Sequence, residues 1–448
     1  MLKVGVEQAQ KRQDWLLIAL IGVIHSSSHF FQLIFPTLFL YLNQTFGFDY
    51  LQLGFLVTAF FFVSGIGQAS SGFIVDRIGA MPVLHFGLLS FVLAALLIAV
   101  SQNYWMLLAA AIIAGAGNSV FHPVDYSIIN EHVSAERLGH AFSVHGLTGN
   151  LGWALAPIFI TTLSYWFNWR VATFSAAALI FFIYLLAIAG RHLLTGTHTH
   201  LGTSAQTSHN GPVAHAVDST KEGSPSAAMK AGDDLSQHSV FETVVAIAKR
   251  PALWAAFLFF AFTSVALSAV QNYTIPLLST VYKVSQFLSG FSLSAYMLAA
   301  AVGMIAGGFL AGASARSERI VFISLVMAGL LLLLLAFSIV PGWGAVLLIA
   351  LAGLCSGVAA PSRDMLIRRV APKGATGTIY GLVYSGMDVG ASVAPTVFGY
   401  MVDAQMDRGP WYGAALAFTI SALLAVYVAY EAQQQHRMQP KYATQSYE

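Results

Sequence analysis

"AGAGNSVFHPVDYSII", residues 114–129, aligns without a gap on "AGLCSGVAAPSRDMLI", residues 352–367, at an offset of 238 (352 − 114). The same register carries "GNLGWALAP", ending at Pro157, onto "MDVGASVAP", ending at Pro395. Ala114, Gly115, Val120, Pro123, Gly139, Gly152, Ala156 and Pro157 recur as the same residue 238 positions later. More than 40 ungapped positions in one register imply an internal duplication. Whether that duplication is a membrane architecture depends on what surrounds it.

Of the 448 residues, 57% are hydrophobic and 9% charged, with a mean hydropathy of +0.71. Soluble domains carry about 25% charged residues. Apolar runs long enough to cross a hydrocarbon core of about 30 Å recur along the whole chain. Twelve are predicted, here called spans 1 to 12: 15–42, 50–75, 82–101, 104–131, 138–164, 170–190, 252–281, 286–312, 319–340, 343–369, 376–402 and 410–431. The first run has no cleavage-site pattern, so it is expected to stay in the mature protein. The predicted fold is an all-α membrane protein with twelve transmembrane helices in two pseudo-symmetric six-helix bundles. Residues 1–190 form the first bundle and 251–448 the second with its tail. Between them, 191–250 is a linker rich in histidine, serine and glycine.

Basic residues set the orientation. With the N-terminus inside, 18 of 21 lie on the inner side and only Arg170, Lys283 and Arg408 on the outer. Both termini and the linker are therefore expected in the cytoplasm. A net charge of +2 gives no reason to expect nucleic acid as a partner. Cys355 is the only cysteine, which excludes a disulfide within the chain. Nothing of the G-x-x-x-x-G-K-[ST] type is present, so nucleotide-driven transport by this chain is not expected. His192, His198, His200, His209, His215 and His238 near or within the linker suit either a metal-binding tract or a solvated tether.

"GFIVDRIG", residues 72–79, lies between spans 2 and 3. It resembles the G-x-x-x-D-R-x-G loop of the major facilitator superfamily. The basic residues that usually follow are replaced by Ala80, Met81 and Pro82. "GNSVFHP" followed by "GLTGNLGWALAP" resembles the fosmidomycin-resistance group of drug exporters within it. That group tends to place an acidic residue directly after His-Pro, where this chain has Val124 and then Asp125. It also tends to carry His and then Asp four residues apart in the first helix, where this chain has His25 and His29. The resemblance implies a bacterial inner-membrane transporter, and a glycine-proline pattern in spans 5 and 11 points loosely towards the superfamily's antiporters. The residues themselves predict a cytoplasmic latch at Gly72, Asp76, Arg77 and Gly79. Small residues there would let backbones approach, and Arg77 would pair with Glu131; the alternative is a solvated turn.

Depth along each helix, at about 1.5 Å per residue, selects the candidate path. Asn118, His122 and Asp125 share one helix face at roughly 20, 13 and 9 Å from the inner surface. "HSSSHFFQ" puts His25, His29 and Gln32 on one stripe of span 1, and span 5 carries His145 and Asn150. Buried ionisable groups are costly and face cavities or one another. The expected site is a protonatable cavity wall on spans 1, 4 and 5, against the alternative of packing histidines. His85 reads as structural, and His132 and His140 as solvated end residues. In the second half Gln271, Asn272, Tyr273, Tyr296 and Tyr384 suit either the path or an interfacial aromatic belt. Asp388, at the repeat position of Asn150, and Arg363, at that of Asp125, complete the candidates. Asp125 and Arg363 are expected to meet when the inner mouth closes, or else to pair within their own halves.

The function expected is secondary active transport by alternating access: proton-coupled export of a small organic solute or drug by a monomer, without a cofactor or resident metal. The leading alternative moves a metal ion or metal chelate on the membrane histidines. A di-iron enzyme built on "HSSSH" lacks the converging ligands such a centre requires. A sensor that moves no solute is the remaining class. Substrate identity and direction do not follow from these residues.

Overall fold

The computed structural model describes residues 2–195, 251–313, 316–370 and 376–438. Most of the linker and the end of the tail lie outside the described residues. Among those residues there are helices and no strand. Ten helices are long and apolar enough to cross a membrane. Leu138–Trp166 and Thr376–Asp403, the helices of spans 5 and 11, fall outside that set. They carry the glycines and deep polar residues of the repeat, which lower their apolarity.

Two spans are broken where proline removes a backbone donor. Span 1 consists of Leu2–Gln32 and Ile34–Phe46, with Leu33 between them at φ −101° and ψ 4°. Pro36 cannot donate to the carbonyl of Gln32, and sits in the first turn of the second helix, where that is tolerated. Span 4 consists of Tyr104–Asn118 and Phe121–His132. Pro123 leaves the Ser119 carbonyl without its helical partner, and Ser71 Oγ of span 2 donates to it at 3.1 Å. The single straight helix assumed for the depth of span 4 is therefore corrected to two. In span 10, Pro361 lies inside the unbroken helix Gly342–Val370.

The repeat is visible in the packing. A Cβ on Gly115 of span 4 would strike the Phe60 carbonyl of span 2; 238 residues later Gly353 of span 10 meets the Tyr296 carbonyl of span 8. Gly152 of span 5 lies on the Ser26 carbonyl of span 1, and Gly390 of span 11 on that of Ala261 in span 7. Each pair places helix backbones in direct contact, as small residues allow in membranes. Large apolar side chains face outward as well as into the buried core: Phe62, Phe73, Trp105, Phe309 and Trp343 are all exposed. That is the pattern of a chain solvated by lipid.

The halves meet on the side opposite the termini. There Asp403, the last residue of the span 11 helix, accepts from the backbone N–H groups of Tyr50 and Leu51 at 3.0 and 2.7 Å. It thereby helps to cap the start of span 2, alongside that helix's own Asp49–Gln52 capping box. Thr58 donates to the Ser392 carbonyl at 2.5 Å and bonds Thr396 Oγ1 at 2.8 Å. Gly290 of span 8 packs on Thr161 of span 5. Among the described residues, these contacts tie the two halves together on the side away from the termini.

Candidate functional site

The break in span 4 directs Asn118 and Asp125 at the same stretch of span 1. Asp125 is fully buried, and its Oδ2 lies 2.9 Å from His25 Nδ1 and 3.1 Å from His145 Nε2. The rings of His25 and His145 stack at 3.5 Å between centroids. The His122 and His29 rings lie 5.2 and 4.7 Å from that of His25, and 6.2 Å from each other. Trp153 closes over His29 at 4.3 Å. Spans 1, 4 and 5 thus bring four imidazoles and one carboxylate together. Gly149 makes room, since a Cβ there would lie 3.0 Å from the His29 ring.

One layer deeper, Asn118 organises the polar groups. Its Oδ1 accepts from Ser28 Oγ at 2.8 Å and Gln32 Nε2 at 3.1 Å, and its Nδ2 donates to Ser64 Oγ at 2.8 Å. Gln32 in turn accepts from Trp153 Nε1 at 2.9 Å. Asn118 and Gln32 are candidates that the structure unites; Ser28, Ser64 and Trp153 were not anticipated. Serine and tryptophan are common in membrane helices, so their types alone give no signal. Asn150 differs from expectation. It donates to the Gly146 carbonyl of its own helix and does not join the cluster.

In the second half, Arg363 pairs with its neighbour Asp364 at 2.9 Å and stands over the Phe260 ring at 5.0 Å. Tyr384 donates to the same Asp364 carboxylate at 3.1 Å. Asp125 and Arg363 are thus each partnered within their own half. The repeat still relates them: Asp125 meets His25, next to Ser26 under Gly152, while Arg363 meets Phe260, next to Ala261 under Gly390. Tyr296 bonds Ser356 at 3.0 Å, and Asn272 bonds Ser268 of its own helix. Gln271, Asn272, Tyr273 and Tyr296 are buried, which rules out a lipid-facing aromatic belt for them. Asp388 is half-buried beside Gly65 of span 2, and its carboxylate makes no hydrogen bond among the described residues.

The latch expectation needs correction in detail. Arg77 and Glu131 are both exposed, and no ion pair joins them. Gly72 has open space where a Cβ would go. Gly79 serves a different end: its φ of +85° makes the one-residue turn between spans 2 and 3. A different polar lock holds the terminus side of the first half. Buried Asp14 takes Arg137 Nη1 at 2.7 Å and Gln10 Nε2 at 2.9 Å, and Ser134 Oγ also donates to it. His132 is buried, not solvated, against the Ile128 carbonyl.

Two bundles related by a repeat, with polar residues buried between their helices, match a family profile. The Major Facilitator Superfamily profile fits residues 19–395 and 261–444. The chain belongs to the major facilitator superfamily. It is 26% identical to the fosmidomycin resistance protein of Escherichia coli K12 over 179 residues, 40% of this chain and 44% of that protein. It is 24% identical to the probable nitrate/nitrite transporter NarK2 of Mycobacterium tuberculosis H37Rv over 389 residues, 86% of this chain and 88% of that one. The first three curated relatives are matched over 36% to 44% of their own length. Among solved structures, a bacterial homolog of the human lysosomal transporter Spinster, inward-facing and unoccupied, superposes at a TM-score of 0.67. Identity there is 14%, over 95% of this chain and 97% of that one. A mutant of the nucleoside transporter NupG reaches 0.67 at 13% identity, covering 94% and 99%. The superfamily match and the apolar helices make this chain an integral membrane protein.

Proposed function

We propose that this chain exports a small organic solute in exchange for protons, by alternating access in a bacterial plasma membrane. The termini and the 191–250 linker are placed in the cytoplasm, a reading that the 18-to-3 asymmetry of basic residues supports. The open mouth then faces the cytoplasm and receives solute there. Solute meets the Gln32–Asn118–Trp153 wall on one side and the Arg363–Asp364–Tyr384 group on the other. Asp76, Arg77 and Glu131, exposed now, make their contacts when that mouth closes.

The observation that carries the coupling is Asp388. It is a deep carboxylate at the boundary between the halves, without a partner in this state. An unpaired carboxylate in a bilayer must be neutralised by a proton or met by water or solute. Alternating access changes what Asp388 faces, because spans 2 and 11 belong to different halves. Asp125, the other deep carboxylate, has all its partners within the first half, so the proton is assigned to Asp388.

A panel of organic solutes in proteoliposomes under an imposed pH gradient tests this reading. At least one solute is expected to accumulate, and Asp388→Asn to abolish gradient-driven accumulation while preserving solute exchange. Normal accumulation by Asp388→Asn would refute the assignment.

A further inference from the structure

We propose that His25, His122 and His145 bind a divalent transition-metal ion of the Zn2+ class, with Asp125 orienting two of the three rings. The ion is either the cargo itself or the centre of a chelated solute. This inference rests on reading the cleft as the transport path, and it specifies what one wall of that path holds.

A nitrogen from each of the three rings lies within 4.8 Å of the other two. A tetrahedral site with Zn–N of about 2.0–2.1 Å sets its nitrogens roughly 3.4 Å apart, which ring rotations can reach. Asp125 Oδ2 engages His25 through Nδ1 and His145 through Nε2. An ionised carboxylate there selects the tautomers that leave His25 Nε2 and His145 Nδ1 as lone-pair donors. Carboxylate–histidine pairs of this kind orient ligands around bound metals. An all-imidazole set favours Zn2+ and its first-row neighbours over Mg2+ or Ca2+.

Two further observations argue against a mere packing cluster. His122 Nδ1, both ring nitrogens of His29, and Asp125 Oδ1 are buried without a hydrogen-bond partner. Leaving such groups unsatisfied is unfavourable; a cation with its water relieves several at once. The repeat supplies the second. At 238 residues beyond His122, Asp125 and His145 stand Ala360, Arg363 and Val383. Spans 10 and 11 build the equivalent half without imidazoles, so the architecture does not require them. Tyr126, which packs against the His122 and His145 rings, is exposed, so the cluster lies next to accessible surface.

The test is Zn2+ calorimetry on the full chain in detergent, with His198, His200, His209, His215 and His238 replaced by Gln to silence the linker. One Zn2+ per chain is expected, weakened at least tenfold by His122→Gln or Asp125→Asn and unchanged by His85→Gln. Co2+ added to the chain with native membrane histidines should give visible bands of tetrahedral nitrogen ligation, a readout independent of any variant's folding. Absence of binding, or binding undiminished by His122→Gln and His145→Gln together, overturns the site. In proteoliposomes, flux of free Zn2+ identifies the ion as cargo, and flux only as a citrate complex identifies a chelate. Binding without flux in either arm overturns the cargo role. Asp388→Asn should still bind Zn2+ while losing gradient-driven accumulation, which separates failure of the metal site from failure of proton coupling.

Discussion

Asn118 is the residue on which the deep polar layer depends, since its amide holds Ser28, Gln32 and Ser64 at once. Asn118→Leu would leave three side chains seeking partners, at about 1–3 kcal/mol for each buried group left unsatisfied. It should lower the unfolding temperature in detergent and depress solute transport more than tenfold. Asn150→Leu, which removes only a bond to its own backbone, should leave stability unchanged; equal effects of the two would contradict this assignment. Asp14→Asn should destabilise by roughly 1–3 kcal/mol, less than a fully buried pair because Arg137 keeps some contact with water. The sequence makes His25, Asp125 and His145 readable as one site, because imidazole and carboxylate are rare at such depth. It does not reveal Ser64, Trp153 or Asp14, whose roles depend on which neighbour they meet.

At the scale of the helix, glycine and proline decide the architecture in opposite ways. Gly152→Ala and Gly390→Ala drive a methyl into a facing carbonyl, so each should sharply reduce folded yield and melting temperature. Gly146→Ala, on the same span but with open space around it, should instead stabilise by about 0.5–1 kcal/mol. If all three behave alike, close backbone contact is not what the repeated glycines provide. The spans and their repeat are legible because hydrophobic length and a fixed offset are properties of the chain itself. The break at Ser119–Val120 is not, even though Pro123 is visible. Pro361 occupies the repeat position within an unbroken helix, so the outcome depends on surroundings: in span 4, Ser71 is there to take the freed carbonyl.

The molecule as a whole is two related halves joined on the side away from the termini. Asp403 is the outermost tie, a carboxylate of one half on the helix start of the other. Reporter fusions within 191–250 should behave as cytoplasmic, and an external signal there would invert every statement about direction. Alternating access requires that a resting state open to the cytoplasm pass to its opposite. Labelling with a membrane-impermeant thiol reagent tests it most directly, in a Cys355→Ala background carrying one reporter cysteine. Tyr126→Cys, on the cleft, should react in inverted vesicles and be silent in intact cells. Thr58→Cys, under the far-side contacts, should be silent in both at rest and become reactive from outside when Asp403→Ala loosens those contacts. Thr58→Cys reactive from outside at rest, with Tyr126→Cys protected in inverted vesicles, would contradict the account.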